Sequence, residues 1–126
     1  MRGARSTIKS WAGEMTGSAV DQRGRFWRDA SGRLTFELHR VDAKDYPAVC
    51  KLLVREFDLQ PWGQLVDGWD VLFREFRARS GLVSIEWDNW TGFTVVAKNE
   101  GAEPAVKEMA TFLEASPAIV QFIRPA

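Results

Sequence analysis

The sequence predicts an α+β fold, a two-layer sandwich in which two main helices pack on one face of a mostly antiparallel sheet of about four or five strands. Three observations predict it: strict polar–apolar alternation over 34–39, two β-rich runs at 82–87 and 93–98, and two segments with helical periodicity. The chain has 126 residues, an ordinary length for one domain. We therefore expect a single domain over 24–126, preceded by a flexible basic arm over 1–23.

The first element is a predicted β-hairpin. Leu34, Phe36 and Leu38 alternate with polar residues, which is typical of a strand with one buried face. The preceding run over 25–28 is aromatic, and Ser31-Gly32 between the two runs supplies residues that favour a turn.

A helix follows over 45–57. Its apolar residues recur at spacings of three and four along one side: Tyr46, Val49, Cys50, Leu53 and Phe57. Asp45 is the best N-cap, since Pro47 then falls in the first turn, where a missing N–H is harmless. The helix should end before Pro61, because the residue before a proline disfavours helical geometry.

Residues 71–78 fit two structures. The apolar stripe of a helix would contain Trp69, Leu72, Phe73 and Phe76, which would place Trp69 in the core. The same run is also rich enough in aromatic and β-branched residues for a strand. We predict a strand, because it then forms a meander with its neighbours, and keep the helix as the alternative.

The remaining elements complete that meander and add a second helix. The runs 82–87 and 93–98 are joined by a loop over 88–92, in which Asn89 and Gly92 can adopt unusual backbone dihedrals. Glu103-Pro104 begins a helix with an apolar side, and Ser116-Pro117 ends it. The apolar run 118–123 is predicted as an edge strand or an extended tail.

Charge and composition exclude several classes of protein. The 17 basic and 17 acidic residues cancel, so a duplex-DNA footprint is not expected. The zero total is the sum of a net charge of +4 over residues 1–33 and a net charge of −4 over the remaining residues. One cysteine, no apolar run of membrane-spanning length and no signal segment favour a cytoplasmic protein without a membrane partner.

The order of elements from residue 45 to residue 115 resembles that of double-stranded-RNA-binding domains. Those modules require a basic start to their last helix, whereas this helix carries Glu103 and Glu108 near its beginning. Carboxylates there would repel phosphate, so we expect no nucleic-acid partner.

Catalytic and metal-binding residues are scarce. His39 and Cys50 are the only His and Cys, and they fall on a polar strand face and an apolar helix face. A structural zinc site needs four such ligands. Carboxylates such as Asp67 and Asp70 could bind a hard cation, but no spacing matches a calcium loop. We therefore predict no catalytic residue, no metal and no cofactor.

Tryptophan is the unusual feature, with six in 126 residues. The alternation places Trp87 in the core, and the apolar stripe with Leu72, Phe73 and Phe76 places Trp69 there, but Trp62 and Trp90 fall in loops. If these two converge, they form an aromatic-rimmed groove with polar companions. The predicted binding residues are Trp90, Trp62, Asp88, Asn89, Asp67 and Asp70.

Two functional hypotheses follow. The first is a small, soluble, non-enzymatic module that binds a protein partner with a basic surface and neutralises or regulates it, as immunity proteins of bacterial toxin pairs do. The alternative is a ligand-binding or enzymatic domain with a pocket lined by Trp62, Trp69 and Trp90. Asp67, Asp70 or His39 would supply its polar groups. Trp90 on an open surface favours the first, and a deep tryptophan-lined concavity favours the second. Exposed aromatic side chains could also be buried between two copies of the chain, so a homodimer is a further possibility.

Overall fold

The computed structural model describes residues 22–125. Their strands are β1 (Gly24–Arg28), β2 (Leu34–Leu38), β3 (Gln60–Pro61), β4 (Val66–Asp67), β5 (Val71–Ala78), β6 (Gly81–Asp88) and β7 (Gly92–Ala97). The α-helices are α1 (Tyr46–Phe57) and α2 (Glu103–Ala115). Short 3₁₀ helices occupy Ala43–Asp45, Glu100–Ala102 and Pro117–Phe122. The predicted α+β class is confirmed.

All seven strands form one antiparallel sheet with the order β1-β2-β7-β6-β5-β3, and β4 also pairs with β5. The sheet is therefore larger than the predicted four or five strands. The additional strands are β3 and β4, which have two residues each and pair with different parts of β5. Two residues carry no periodicity, so only the tertiary pairing reveals them.

Both helices lie on one face of the sheet, where they enclose the core. Helix α2 packs on β2 and β7, and α1 packs on β6. The Tyr46 hydroxyl in α1 donates a 2.6 Å hydrogen bond to the carbonyl oxygen of Ile85 in β6. The largest fully buried side chains are Phe36, Phe93, Leu38, Leu53, Ile85, Met109, Leu113 and Ile119.

The two helices begin and end close to the predicted residues. Asp45 precedes α1 as predicted, although its side chain makes no capping hydrogen bond. The chain leaves α1 at Asp58, which adopts a left-handed conformation with φ 51°. Helix α2 has Pro104 in its first turn and ends at Ser116, where the backbone becomes extended.

The ambiguous segment is strand β5, as predicted. It pairs with β6 along its whole length, with Val71 opposite Asp88 and Ala78 opposite Gly81. Trp69 lies outside the strand, in the turn that precedes it, and its side chain is 100% exposed. The prediction that Trp69 is a core residue is therefore wrong, because the helical stripe that included it does not exist.

The C-terminal run also differs from its prediction. It forms the 3₁₀ helix Pro117–Phe122 rather than an edge strand or an extended tail. The Ser116 hydroxyl accepts a 3.2 Å hydrogen bond from the N–H of Ala118 and so caps this helix. Ile119 is fully buried. Phe122 and Ile123 also pack against the core, so the run buries several apolar side chains without a partner strand.

The predicted basic arm lies outside the described residues except for its last two. Of these, Arg23 is tied to the end of α2: its N–H donates to a Glu114 carboxylate oxygen at 2.7 Å. Its guanidinium also donates to the carbonyl oxygen of Leu113 at 2.9 Å. No helix within residues 22–125 has the length and apolar character needed to cross a membrane.

Candidate functional site

Two turns meet at one end of the sheet. Residues 68–70 connect β4 to β5, and residues 89–91 connect β6 to β7. Because Val71 pairs with Asp88, both turns leave the same end of the β5–β6 pair. The backbone N–H of Asn89 donates a 3.2 Å hydrogen bond to the carbonyl oxygen of Asp70. The two turns are therefore direct neighbours.

Each turn carries one tryptophan that the domain does not cover. Trp69 is 100% exposed and Trp90 is 80% exposed. Burying a tryptophan removes a large apolar surface from water, and globular proteins rarely forgo that gain. Two such side chains on adjacent turns make a compact aromatic surface. Together with Asp67, Asp70 and Asp88 we call it the Trp tip.

The backbone beneath Trp90 is held in place. The Asp88 carboxylate accepts hydrogen bonds from the N–H of Trp90 at 2.8 Å and from that of Thr91 at 2.6 Å. Gly92 closes the loop with φ 85°, a conformation that a side chain would disfavour. Asp88 is thus a positioning residue for the loop. The Trp90 ring points outward from an ordered backbone.

The Trp tip is acidic. Asp67, Asp70 and Asp88 contribute three carboxylates, and none of them forms an ion pair with a basic side chain among residues 22–125. Asn89, the first residue of the β6–β7 turn, is exposed and adds a side-chain amide. An unneutralised acidic rim around two exposed aromatic rings can attract and hold a cationic group.

Trp62, the other predicted binding tryptophan, lies elsewhere. Its backbone N–H donates a 2.9 Å hydrogen bond to the carbonyl oxygen of Glu75. The guanidinium carbon of Arg77 lies 4.5 Å from the centre of the Trp62 ring, over which the guanidinium stacks. Glu75 is four residues along β5 from Val71, a distance of roughly 13 Å in a strand. Trp62 and Trp90 therefore do not form the groove that the sequence suggested.

Sequence reasoning identified five members of this region as binding residues. It placed Trp69 in the core and included it only in the alternative of a tryptophan-lined pocket. Asp67, Asp70, Asp88, Asn89 and Trp90 are brought together at the tip as a group. A signal for Trp69 was present, since Gly68 between Asp67 and Trp69 is typical of a turn and not of a helix interior. The N–H of Gly68 donates a 2.8 Å hydrogen bond to the carbonyl oxygen of Val71, which closes that turn.

The lone histidine and cysteine do not meet. His39 follows β2 beside the Glu37 carboxylate, 3.8 Å from it, on the face of the sheet opposite the helices. Cys50 lies in α1 on the helix side, where burial raises the pKa of its thiol to about 11. A thiol held neutral in this way is a poor nucleophile at neutral pH.

Within the described part of the chain, no group of three or more His, Cys, Asp or Glu side chains is arranged to hold a metal ion. The acidic members of the Trp tip thus act as separate surface charges: Asp67 ends β4, Asp70 lies in the turn before β5, and Asp88 ends β6. Comparison of the chain with protein-family models, with curated proteins and with solved structures finds no match.

Proposed function

We propose that this protein is a non-enzymatic binding module that captures a partner protein with a basic surface through the Trp tip. The observation that carries the proposal is the pairing of Trp69, fully exposed, with Trp90 on the adjacent hydrogen-bonded turn. Neutralising or regulating that partner, as an immunity protein does, is the biological role that we propose for such capture. We place it in the cytoplasm.

The physical reason is the energetics of interface tryptophans. Trp is enriched at binding hot spots because its large rigid surface is desolvated at a small cost in conformational entropy. The backbone hydrogen bonds of Asp88 reduce that cost further, since the Trp90 loop is ordered before binding. Preorganisation therefore supports a role for Trp90 in recognition.

The charge of the tip selects the chemistry of the partner. A Lys or Arg side chain over an indole ring gains cation–π attraction, and Asp67 or Asp70 nearby offers it a carboxylate. Complementary charge also accelerates association, an effect that weakens as salt is added. A basic partner surface thus suits both components of the Trp tip.

The exposure of these rings disfavours the alternative of a tryptophan-lined pocket. A small-ligand site encloses most of its ligand between concave walls. Side chains that are 100% and 80% exposed cannot form such walls. Trp62 could not complete them, because it lies farther along β5 and stacks on Arg77.

The test is site-specific crosslinking in the organism that encodes the chain. A photoreactive amino acid at position 89 should capture one specific basic protein, and that protein is then purified for titration calorimetry. Trp69→Ala and Trp90→Ala should each weaken binding by roughly 30-fold or more, the effect of a hot-spot residue. Trp62→Ala is the matched control, since Trp62 is 53% exposed but lies outside the Trp tip; it should leave affinity within about twofold.

Salt and self-association complete the experiment. Affinity for the partner should fall as NaCl is raised from low to high concentration, because exposed charges are screened. Equal affinity of wild type, Trp69→Ala and Trp90→Ala would overturn the proposal. Capture of a second copy of this chain at position 89, with a dimer in sedimentation equilibrium, would replace the basic partner by a homodimer.

A further inference from the structure

A cleft separates α1 from the β3–β5 edge on the helix side of the sheet, away from the Trp tip. It has a volume of about 290 Å³ and is open at one side. Its walls are mainly apolar and include Val54 of α1, Pro61, Leu65 and Phe76. Leu65 is 48% exposed, so part of this apolar wall faces solvent.

Arg74 places a positive charge in this apolar cleft. It lies opposite Ile85 in the β5–β6 pair, two residues before the buried Phe76, and therefore faces the helix side. Its Nε donates a 2.8 Å hydrogen bond to the carbonyl oxygen of Gly63. Its guanidinium carbon is 5.7 Å from the centre of the Phe76 ring.

No carboxylate of residues 22–125 neutralises Arg74. The ion pairs among these residues all involve other cations. A guanidinium has five N–H donors in a planar fork, and the hydrogen bond to Gly63 uses the one on Nε. The terminal nitrogens, which bind carboxylates in a bidentate manner, keep their capacity for an external acceptor.

The charge of Arg74 acts within the cleft. Burial raises the pKa of both the Cys50 thiol and the Tyr46 hydroxyl, and the Arg74 charge opposes the rise at both groups. These two side chains line the cleft with Arg74. The cleft thus combines mainly apolar walls, a largely neutral thiol and phenol, and two cations, the half-buried Arg74 and the exposed Lys51.

We propose that this cleft binds a small organic carboxylate with an apolar body, whose carboxylate pairs with Arg74. Charge complementarity selects the acidic group, and the apolar walls select the rest of the molecule. The volume is at the lower limit for ligand pockets, which suits a molecule the size of a medium-chain fatty acid. A small hydrophilic anion such as phosphate is disfavoured, since it has no apolar body to occupy the mainly apolar walls.

Cys50 provides a direct readout because it is the single cysteine of the chain and lines this cleft. Alkylation by iodoacetamide at pH 9 is followed with octanoate, 1-octanol or acetate present. Octanoate should protect Cys50 at a concentration roughly tenfold or more below that of 1-octanol, because a charged hydrogen-bonded pair adds that much affinity. Acetate should give no protection at the same concentration, because it lacks the apolar body.

Arg74 variants test the source of the selectivity. In Arg74→Gln the preference for octanoate over 1-octanol should fall strongly, because only the exposed Lys51 then remains as a cation lining the cleft, and in Arg74→Lys part of the preference should return. Arg77→Gln is the matched control: it alters an arginine of the same strand that stacks on Trp62 rather than lining the cleft, and should retain the full preference. Protection ratios are compared within each variant, since Arg74 itself affects the thiol.

Three results would overturn this proposal: equal protection by octanoate and 1-octanol in the wild type, protection by acetate at the octanoate concentration, or unchanged selectivity in Arg74→Gln. The first two need only the wild-type protein, so they hold even if Arg74→Gln fails to fold. None of them bears on the Trp tip, because the cleft lies on a different part of β5 and the two experiments use different ligands.

Discussion

The backbone N–H of Asn89 donates a hydrogen bond to the carbonyl oxygen of Asp70 over 3.2 Å. This bond continues the β5–β6 ladder by one step beyond the Val71–Asp88 pair. Its consequence is that Trp69 and Trp90, which are 21 positions apart in the chain, stand on touching turns. The binding surface thus depends on strand register as much as on the residues themselves.

Trp69→Ala and Trp90→Ala should leave the free energy of unfolding within about 0.5 kcal/mol of the wild type. Both side chains are exposed, so truncation removes little buried surface and leaves no cavity. Urea denaturation followed by circular dichroism measures the change. A loss of several kcal/mol for either variant would mean that the ring packs on its own domain.

Tyr46→Phe should destabilise the fold by about 1–2 kcal/mol, because the buried carbonyl oxygen of Ile85 loses the hydroxyl that donates to it. The ring remains against Phe93, 5.9 Å between centroids, so packing is largely retained. Thr111→Val is the control, since its hydroxyl hydrogen bond is exposed on α2 and should contribute less than about 0.5 kcal/mol. Equal effects of the two substitutions in chemical denaturation would contradict the prediction.

Alkaline pH should destabilise the protein in part through Cys50. Burial raises the pKa of its thiol from 9.0 to about 11, so the unfolded chain loses this proton first. The contribution to stability is complete below pH 9 and is lost as the pH rises towards 11.

Unfolding free energies of the wild type and Cys50→Ala, measured from pH 8 to pH 11 in urea, isolate this effect. The difference in slope between the two proteins should be confined to the window above about pH 9, the ordinary range of a thiol. Burial also raises the pKa of the Tyr46 hydroxyl, and Cys50 adds to that rise, so the two proteins are compared between about pH 9 and pH 10, below the range in which a phenol ionises in the unfolded chain. Parallel curves over the whole range would show that Cys50 titrates alike in the folded and unfolded chains.

Gly24→Ala should destabilise the fold by at least about 2 kcal/mol. A Cβ at this position would collide with the carbonyl oxygen of Glu37 and lie 2.6 Å from Cζ of Phe36, both on the paired strand β2. Moving either the backbone oxygen or the packed aromatic ring away from the added methyl group would cost free energy.

Gly63→Ala is the matched comparison, because no atom of residues 22–125 lies within 4 Å of its Cβ position. It should change stability by less than about 1 kcal/mol, mainly through the entropy of the unfolded chain. Thermal denaturation of the two variants should therefore give clearly different midpoints. Similar midpoints would show that the backbone at Gly24 can move to admit a methyl group.

The elements with long periodic patterns were predictable from sequence. Helix α2 has Pro104 at its start and a proline after Ser116 at its end, and the structure places it between those signals. A strand was correctly predicted for β5 rather than a helix. The prediction depended on the two neighbouring strands, with which a third strand forms a meander. Strands β3 and β4 were not predictable, since their only support is pairing with β5.

Most residues of the candidate site could be predicted from the sequence, but their arrangement in space could not. The turn-forming residues around Trp90 and its neighbouring carboxylates predicted a surface loop, and none of these residues fits an apolar stripe of the core. Trp62 was grouped with them, although register puts it beside Glu75 and its ring against Arg77. Trp69 was assigned to the core because a helical spacing happened to include it.

The sequence by itself determined the α+β class, the two helices and the turn chemistry of the loops, because periodicity, proline and glycine act over a few neighbouring residues. Only the tertiary structure decided which loops meet. That decision depends on the pairing of Val71 with Asp88 and on the hydrogen bond from Asn89 to Asp70, which join distant parts of the chain. Local patterns contain no information about such pairings, so the neighbouring positions of Trp69 and Trp90 emerge only when the sheet is assembled.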